Sequence, residues 1–521
     1  MARMHLTQAL HKGVSQVPQA TAVVFGERRR SFAEVTGRVA RLAAALRALG
    51  LAPGGRAGML ALNCDRYLEF FYAVWWAGGV VNPVNIRWSA SEIAYSLDDC
   101  DTRILFVDAQ FQPLAGELRQ RSRSLTTLVY TGEGPAPQGM LGFEDLLAAH
   151  APCEDAQRGG DDLAAVMYTG GTTGLPKGVM LTHANMFTNS LNTLATIARG
   201  PDTVCIQTAP MFHIGGVALM LQVLQWLGRQ VILPAFDETV LLETIQREKG
   251  TETFIVPTML KRVIEHPRLA EYDVSSLRIL FYGAAPIDDA LLEQALRKLP
   301  TAGFWQVYGM TELSPVVTAL PPRCHRPGAG PGGKLRSAGL PLLSVEVRIV
   351  DPQGQPVATG AVGEIAVRGP TVMAGYWNKP AETAAVLRDG WMHTGDGGRM
   401  DEDGYVYVVD RIKDMVVTGG ENVYSAEVEN AIAQLPQVSM CAVIGVPDEQ
   451  WGERVHAVVV LREDAPLTAQ ALIAHCKTRI AGYKCPRSVE FVDAIPLSAA
   501  GKMLKYKLRE RYWAGRDRRV A

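Results

Sequence analysis

The first clear helical pattern follows residue 31. Ser31 and Glu34 have the spacing of a capping box, in which each side chain accepts a hydrogen bond from the other residue's backbone N–H group. The apolar residues after them recur at the helical period and share one face: Val35, Val39, Leu42 and Leu46. Gly50 and Pro53 end this pattern. The segment is therefore predicted to be an amphipathic helix.

A strand, a turn and a helix are predicted between residues 277 and 299. Residues 277–282 form a short apolar run, and Gly-Ala-Ala-Pro follows at 283–286. The next apolar residues lie on one helical face: Ile287, Leu291, Leu292, Ala295 and Leu299. This order is typical of an α/β layer, in which ligands bind at the carboxyl ends of the strands.

The pattern changes to alternation at residues 341–410, which predicts antiparallel strands separated by Gly, Pro and Asp turns. Beyond them we predict strands at 440–446, 455–461 and 489–492 and a helix at 469–480. We place the domain boundary at 410/411, which gives domains 1–410 and 411–521. The predicted fold class is multi-domain α/β: a large N-terminal domain of α/β layers with a small β-barrel-like subdomain, then a small, mobile α+β C-terminal domain.

Charge and composition exclude several classes of partner. The chain of 521 residues has 52 Lys and Arg against 53 Asp and Glu, a net charge of -1. This balance removes the electrostatic case for nucleic acid or an anionic membrane. The most apolar runs, at 68–81 and 217–227, are shorter than the roughly 18 residues that span a bilayer. Eight scattered cysteines, without zinc-site spacing, favour a reducing, cytoplasmic location.

The strongest chemical signal is the segment 168–178, Tyr-Thr-Gly-Gly-Thr-Thr-Gly-Leu-Pro-Lys-Gly. Its glycines let backbone N–H groups turn toward an anion, and Thr169, Thr172 and Thr173 add hydroxyl donors. Lys177 adds a full positive charge, so the segment suits a triphosphate. It is not the common NTPase loop, because that loop has Gly-Lys-Ser/Thr and Lys177 lies between proline and glycine.

This segment resembles the phosphate-binding signature of the adenylate-forming superfamily, which includes acyl-CoA synthetases, firefly luciferase and peptide-synthetase adenylation domains. Further motifs similar to those of the family follow in the expected order: Tyr308–Glu312, His393–Asp396, Asp410–Asp414, Gly419–Tyr424 and Pro496–Lys502. They cover the catalytic part of both predicted domains. One departure is Gly171, where most members have Ser, so one donor to the phosphates is lost.

The resemblance implies an ATP site. Thr311 and Glu312 would lie beside the α-phosphate, with Glu312 and Thr169 holding Mg²⁺. Tyr308 would pack on the adenine. The backbone of residues 283–286 would approach the edge of the adenine ring closely, because the side chains there are small. Asp396 and Arg411 would bind the ribose hydroxyls. The full set of implied ATP contacts is Thr169, Gly170, Gly171, Thr172, Thr173, Gly174, Lys177, Gly283, Ala284, Ala285, Tyr308, Gly309, Asp396, Arg411 and Lys502.

The family mechanism also implies a small domain that moves. Lys502 would bridge the substrate carboxylate and the α-phosphate as charge grows on the phosphate during adenylation. Thioester formation would need a different face of the same domain, which carries the coenzyme A tunnel residues Gly419, Gly420, Glu421 and Asn422. Rotation would occur about a hinge at Lys413. His213 resembles the residue that lines the acyl pocket near the carboxylate.

These features imply an AMP-forming acid–thiol ligase that uses ATP, Mg²⁺ and coenzyme A. An enzyme that loads a carrier protein, a luciferase-like oxidase and a catalytically silent nucleotide-binding module are the alternatives. The oligomeric state is left open, with a homodimer as one alternative. The acyl pocket is expected to use residues 212–219, 282–285 and 309–319, which are mostly apolar or small. We therefore expect a medium- or long-chain fatty acid as substrate, with an aryl or cinnamate-like acid as the runner-up.

Overall fold

The computed structural model describes residues 4–170, 175–285, 287–325, 334–463, 465–498 and 501–514. Four residues of the predicted phosphate loop lie outside these ranges: Gly171, Thr172, Thr173 and Gly174. Pro286, in the predicted adenine-binding turn, also lies outside them.

The strands are β1 Thr21–Phe25, β2 Arg28–Ser31, β3 Arg56–Leu60, β4 Val80–Pro83, β5 Thr102–Val107, β6 Thr127–Tyr130, β7 Leu141–Gly142, β8 Leu163–Thr169, β9 Lys177–Thr182, β10 Val204–Gln207, β11 Arg229–Ile232, β12 Glu252–Ile255, β13 Ile279–Gly283, β14 Gly303–Gly309, β15 Val316–Leu320, β16 Leu340–Pro341, β17 Glu346–Val350, β18 Gly363–Arg368, β19 Gly375–Tyr376, β20 Leu387–Arg388, β21 Trp391–Met400, β22 Val406–Arg411, β23 Val416–Thr418, β24 Glu421–Val423, β25 Val438–Asp448, β26 Gly452–Leu461 and β27 Ser488–Phe491.

The helices are α1 Gln8–Gln16, α2 Phe32–Ala48, α3 Asp65–Ala77, α4 Ala90–Asp99, α5 Gln112–Arg121, α6 Phe143–Ala149, α7 His183–Thr196, α8 Ile214–Gln225, α9 Glu238–Glu248, α10 Pro257–Glu265, α11 Asp289–Lys298, α12 Pro380–Val386, α13 Ser425–Ala433, α14 Ala469–Lys477 and α15 Lys505–Trp513. The capping box at Ser31 and Glu34 is present at the start of α2, as predicted. In the described part of the chain, no helix has both the length and the apolarity needed to cross a bilayer.

Two large sheets form the N-terminal part. One has the strand order β19-β9-β8-β4-β3-β5-β6-β7, and the other β16-β15-β14-β13-β12-β10-β11-β1-β2. Most interior pairs are parallel, such as β12 with β13 and β3 with β5. Every residue of α3 is buried, and α8 is buried except at Gly215. Residues of both sheets and of these helices belong to one core cluster, so the predicted α/β layers are confirmed.

The smaller sheets follow the predicted patterns. The alternating segment forms an antiparallel sheet, β17-β18-β21-β20 with β22 paired to β21. The three strands predicted near the C-terminus match β25, β26 and β27. The predicted helix at 469–480 ends earlier, at Lys477, where the N–H groups of Thr478 and Arg479 donate to carbonyls three residues back, those of His475 and Cys476, and tighten the chain into a turn. The domain boundary at 410/411 stays a prediction.

The C-terminal sheet region contacts the large N-terminal part through polar groups. Lys261 Nζ on α10 donates to the backbone carbonyl of Ser439 at 2.6 Å. The Arg462 guanidinium lies 3.3 Å from the Glu265 carboxylate. Arg87 Nη1 donates to the carbonyl of Ser498 at 3.2 Å, which holds the segment just before Lys502.

Candidate active site

A central cavity of about 130 Å³ lies where α8 meets the ends of β13 and β14. Side chains from distant parts of the sequence line it, among them His213, Gln222, Phe281, Tyr308, Thr311 and Lys502. Its wall is mostly apolar, and the titratable groups cluster at one end. The cavity therefore offers an apolar space for a ligand, with charged and polar side chains at one end.

Two glycines let the backbone form this cavity. A Cβ atom on Gly283, at the end of β13, would lie 2.1 Å from the carbonyl oxygen of Val307. A Cβ atom on Gly309 would lie 1.7 Å from the carbonyl oxygen of Pro315. Both distances are far below van der Waals contact, so only glycine fits. Ala284 lines the cavity in a left-handed conformation with φ of 64°.

One expectation for the pocket is wrong. Tyr282 was expected to line it, but its hydroxyl bonds to His325 Nε2 at 2.8 Å on the other side of the sheet. Successive side chains of a strand point to opposite faces, and it is Phe281 that lines the cavity. Phe212 is buried in the core and Gly283 and Ala285 are also absent from the lining, whereas most of residues 213–219 and five of residues 309–319 are present.

The described ends of the phosphate loop are held by a hairpin. Thr169 at the end of β8 pairs with Lys177 at the start of β9 in an antiparallel register. The Lys177 ammonium lies 5.1 Å from the centre of the Tyr376 ring, a cation–π contact that directs its charge. β19, which carries Tyr376, pairs with β9. The two described ends of the loop are therefore held next to each other by β8 and β9.

Tyr376 also contacts Glu312, the carboxylate expected beside the α-phosphate. The Tyr376 hydroxyl donates to Glu312 Oε1 at 2.9 Å. Burial raises the pKa of the Glu312 carboxyl, and the hydrogen bond from Tyr376 opposes that shift. Sequence reasoning missed Tyr376, since a tyrosine after glycine has no chemical signature of its own.

Asp396, Arg411 and Tyr308 form a second polar group. Asp396 and Arg411 are paired residues of β21 and β22, with Arg411 Nε 3.6 Å from Asp396 Oδ1. The Tyr308 hydroxyl donates to Asp396 Oδ2 at 2.8 Å. Burial raises the pKa of Asp396, and the charge of Arg411 opposes the shift. The structure thus brings together three residues that the sequence assigned to the nucleoside.

Lys502 reaches the cavity from the C-terminal region. A bridge between Leu497 and Met503 and a 3.0 Å hydrogen bond from the Lys502 N–H to Ser498 Oγ fix its backbone. Burial lowers the pKa of Lys502 to about 8, and the positive charge of Arg411 contributes in the same direction. The carboxylates of Asp396 and Glu312 oppose it. The ammonium is therefore predominantly charged at neutral pH but easily discharged above it.

His213 lies just before α8 and lines the same end of the cavity. Burial lowers its pKa to about 4, and the nearby Lys502 adds to this shift. The imidazole is thus neutral at pH 7. It can contact a carboxylate by a hydrogen bond, while the positive charge at the mouth comes from Lys502.

Other predicted site residues lie away from the cavity. Gly419 and Gly420 form the turn between β23 and β24, and Glu421 and Asn422 are exposed; none of the four lines the cavity. Lys413 lies between β22 and β23, and its carbonyl accepts a hydrogen bond from Arg509 at 3.2 Å. The hinge and coenzyme A tunnel assignments remain predictions. Among the described residues, no cluster of three or more His, Cys, Asp or Glu could hold a metal.

Known proteins are similar to this chain over nearly its whole length. Residues 10–377 match the AMP-binding enzyme family, and residues 427–502 match the AMP-binding enzyme C-terminal domain. A feruloyl-CoA synthase from Amycolatopsis sp is 41% identical, over 95% of this chain and 96% of that protein. A medium/long-chain-fatty-acid–CoA ligase from Mycobacterium tuberculosis is 35% identical, over 95% of this chain and 88% of that protein.

A solved structure also matches nearly the whole chain. ATP-bound MatB from Rhodopseudomonas palustris has a TM-score of 0.89 and 32% identity, over 98% of this chain and 99% of that one. Around the central cavity, a lysine from the C-terminal region and a neutral histidine both contribute to the lining. The chain therefore belongs to the AMP-binding enzyme family within the adenylate-forming superfamily, and it is an AMP-forming acid–CoA ligase.

Proposed function

We propose that this enzyme activates an aryl-alkenoic acid, of the size of a phenylpropenoate, as its acyl-adenylate and then transfers the acyl group to coenzyme A. The observation that carries the proposal is the central cavity, a compact apolar space of about 130 Å³ with Lys502 and His213 at one end. That size suits an aromatic acid better than a long aliphatic chain.

In the adenylation step, the substrate carboxylate attacks the α-phosphorus of ATP and pyrophosphate leaves. Negative charge grows on the phosphate oxygens, and the Lys502 ammonium lies where it can offset that charge. Neutral His213 would orient the acid through a hydrogen bond, and the positive charge that pairs with the carboxylate would come from Lys502 alone. The buried Thr311, at the cavity wall, adds a hydroxyl that can donate to a phosphate oxygen.

The nucleoside would be held by the group around Asp396. A carboxylate is a good bidentate acceptor for the two ribose hydroxyls. Tyr308, whose hydroxyl is bonded to Asp396, would place its ring against the adenine. Arg411 and the backbone edge at Gly283, Ala284 and Gly309 would complete this part of the ATP site, with Lys177 and the hairpin loop around the outer phosphates.

Magnesium fits the donor set that the structure provides. Glu312 Oε1 accepts the Tyr376 hydroxyl, and the buried Glu312 carboxylate would offer an oxygen to the ion. Mg²⁺ in nucleotide sites is bound through one or two protein oxygens together with phosphates and water, so Glu312 and Thr169 would suffice. When bound, the ion would neutralise phosphate charge. The protein groups themselves orient ATP and the acid.

The second half-reaction needs a different arrangement, since Lys502 occupies the cavity and residues 419–422 lie away from it. We include in the proposal that the C-terminal domain, residues 411–521, turns about Lys413 to bring those residues to the site. Polar contacts such as that between Lys261 and Ser439 would have to break. Contacts of this type permit movement between domains.

A panel of acids tests the proposed substrate. Pyrophosphate release and thioester formation are measured for cinnamate, hydroxycinnamates, octanoate and palmitate, each with and without coenzyme A. The expected result is the highest kcat/KM for an aryl-alkenoic acid and a thioester product only when coenzyme A is present. Higher kcat/KM for palmitate than for every aryl acid would contradict the aryl assignment.

A medium-chain fatty acid is the second candidate. The apolar residues Leu219, Val256 and Phe281 line the cavity and would accept an aliphatic chain as well as a ring. The relative named for medium- and long-chain fatty acids supports it. A cytoplasmic location is also part of the proposal, because all eight cysteines are free thiols.

A further inference from the structure

A buried polar group closes the inner end of the cavity. Gln222 on α8 lines the cavity and is only 3% exposed. Behind it, Arg199 Nη2 donates to Gln222 Oε1 at 2.9 Å, and Arg199 Nε donates to Glu252 Oε2 at 2.8 Å. The Arg199 side chain is fully buried. Gln222 is therefore held by an arginine that is itself held by a carboxylate.

This contact fixes the direction of the Gln222 amide. A guanidinium has only donors, so it must face the amide oxygen and not the NH₂ group. The NH₂ group, Nε2, donates to no group among the described residues. Since Gln222 lines the cavity, Nε2 presents its N–H donors to whatever fills it. A buried donor left without an acceptor is unfavourable, so the site favours a ligand that supplies one.

The surrounding wall offers no other described donor at this end. Leu219 and Phe281 are apolar, and the Thr193 hydroxyl already donates to the Asn189 carbonyl at 3.0 Å. The charged groups, Lys502 among them, lie at the opposite end near His213. Gln222 is eight residues along α8 from Ile214, about 12 Å at the helical rise. Helical side chains lean toward the N-terminus, which shortens this span.

We propose that Gln222, oriented by Arg199, is a specificity-determining residue that donates a hydrogen bond to an oxygen at the far end of the acid, as in a para-oxygenated phenylpropenoate. This inference rests on the proposed function and deepens it. The para position of the ring is the point farthest from the carboxylate, which Lys502 binds. An acid that ends in a methyl group leaves the Gln222 donors unsatisfied and is selected against.

The test compares acids of matched size in the full-length enzyme with ATP, magnesium and coenzyme A. The kcat/KM for 4-hydroxycinnamate is expected to exceed that for 4-methylcinnamate by roughly 10- to 100-fold. In Gln222→Met this ratio is expected to fall to about one. Gln225→Met is the matched control, because Gln225 lies on the same helix but does not line the cavity. Its ratio is expected to stay that of the unaltered enzyme.

A second comparison needs no variant. 4-Methoxycinnamate can only accept a hydrogen bond at its para oxygen, and 4-ethylcinnamate has a similar size without an acceptor. The unaltered enzyme is expected to prefer the methoxy acid. Equal kcat/KM for these two acids, or an unchanged hydroxy-to-methyl ratio in Gln222→Met, would overturn the role of Gln222 and leave the ligase function standing. Absence of thioester with every acid would instead refute the proposed function.

Discussion

The hydroxyl of Tyr376 donates a 2.9 Å hydrogen bond to Oε1 of Glu312, and the Tyr376 ring also lies 5.1 Å from the Lys177 ammonium. One side chain thus contacts both the carboxylate proposed to hold magnesium and the lysine proposed to bind the outer phosphates. These two groups would act on the same triphosphate. Tyr376 is therefore a positioning residue whose loss should affect ATP use without removing a charge.

Tyr376→Phe is expected to lower ATP–pyrophosphate exchange roughly tenfold, because one oxygen of Glu312 loses its donor while the ring beside Lys177 remains. The pKa of Glu312, already raised by burial, should rise further without the opposing hydrogen bond. The acid limb of the pH profile should then move to higher pH. Tyr407→Phe is the control, since the Tyr407 hydroxyl bonds to Asp401 away from the cavity. An identical acid limb in both variants would count against the role of Tyr376.

Lys502→Ala is expected to slow adenylate formation by roughly 100-fold or more, because one preorganised positive charge is lost. Thioester formation from supplied acyl-AMP should largely survive, since that step is proposed to use another face of the domain. Rapid-quench measurement of each half-reaction separates the two. Lys507→Ala, at an exposed position, should leave both rates unchanged. Equal loss in both half-reactions would contradict the assignment of Lys502.

The pH dependence of adenylation should have an alkaline limb near the Lys502 pKa of about 8. The ammonium is the active form, so kcat/KM for the acid should decrease as the pH rises through that value. His213, with its pKa lowered to about 4, stays neutral above that pH and should add no limb near 6.5. Steady-state rates from pH 5.5 to 9.5 check both points. In Lys502→Arg the alkaline limb should vanish from this range, whatever the absolute rate.

Lys413→Pro is expected to spare adenylation and to suppress transfer to coenzyme A, because proline restricts the backbone rotation proposed for the hinge. Proline keeps the carbonyl, so the hydrogen bond from Arg509 can persist. Lys413→Ala is the matched control, because it removes the side chain but leaves the backbone free. Unchanged overall turnover in Lys413→Pro would remove the hinge assignment.

Much of the fold could be predicted from local patterns. The capping box at Ser31 and Glu34 determines the start of α2 through contacts three residues apart, which a sequence displays directly. The alternation after residue 341 likewise matched antiparallel strands. The face of β13 was assigned wrongly, because a fully apolar strand gives no sign of which side meets the cavity. Phe281 rather than Tyr282 lines it.

The residues of the functional site were likewise predictable only in part. Lys502 and Glu312 were found because the motifs around them resemble a known family, and the structure brings Lys502 to the cavity. Gln222 belongs to no motif and lies within the apolar run 217–227. Its partner Arg199 is 23 residues away along the chain. Glu252, which accepts a hydrogen bond from Arg199, is 30 residues away from Gln222, and the three come together only through the packing of α8 against the sheet. Such a non-local contact has no local pattern from which to predict it.

Helix α8 carries His213 just before its first turn and Gln222 near its end. Because a single helix joins the two, the separation between their backbone positions is set by the helical rise and does not depend on the conformation of a loop. Homologous acids that differ by one carbon in length should then be distinguished through misplacement of their carboxylates, so that an ill-fitting acid lowers kcat more than it weakens binding. Changing the preferred length would require substitutions one helical turn apart on α8.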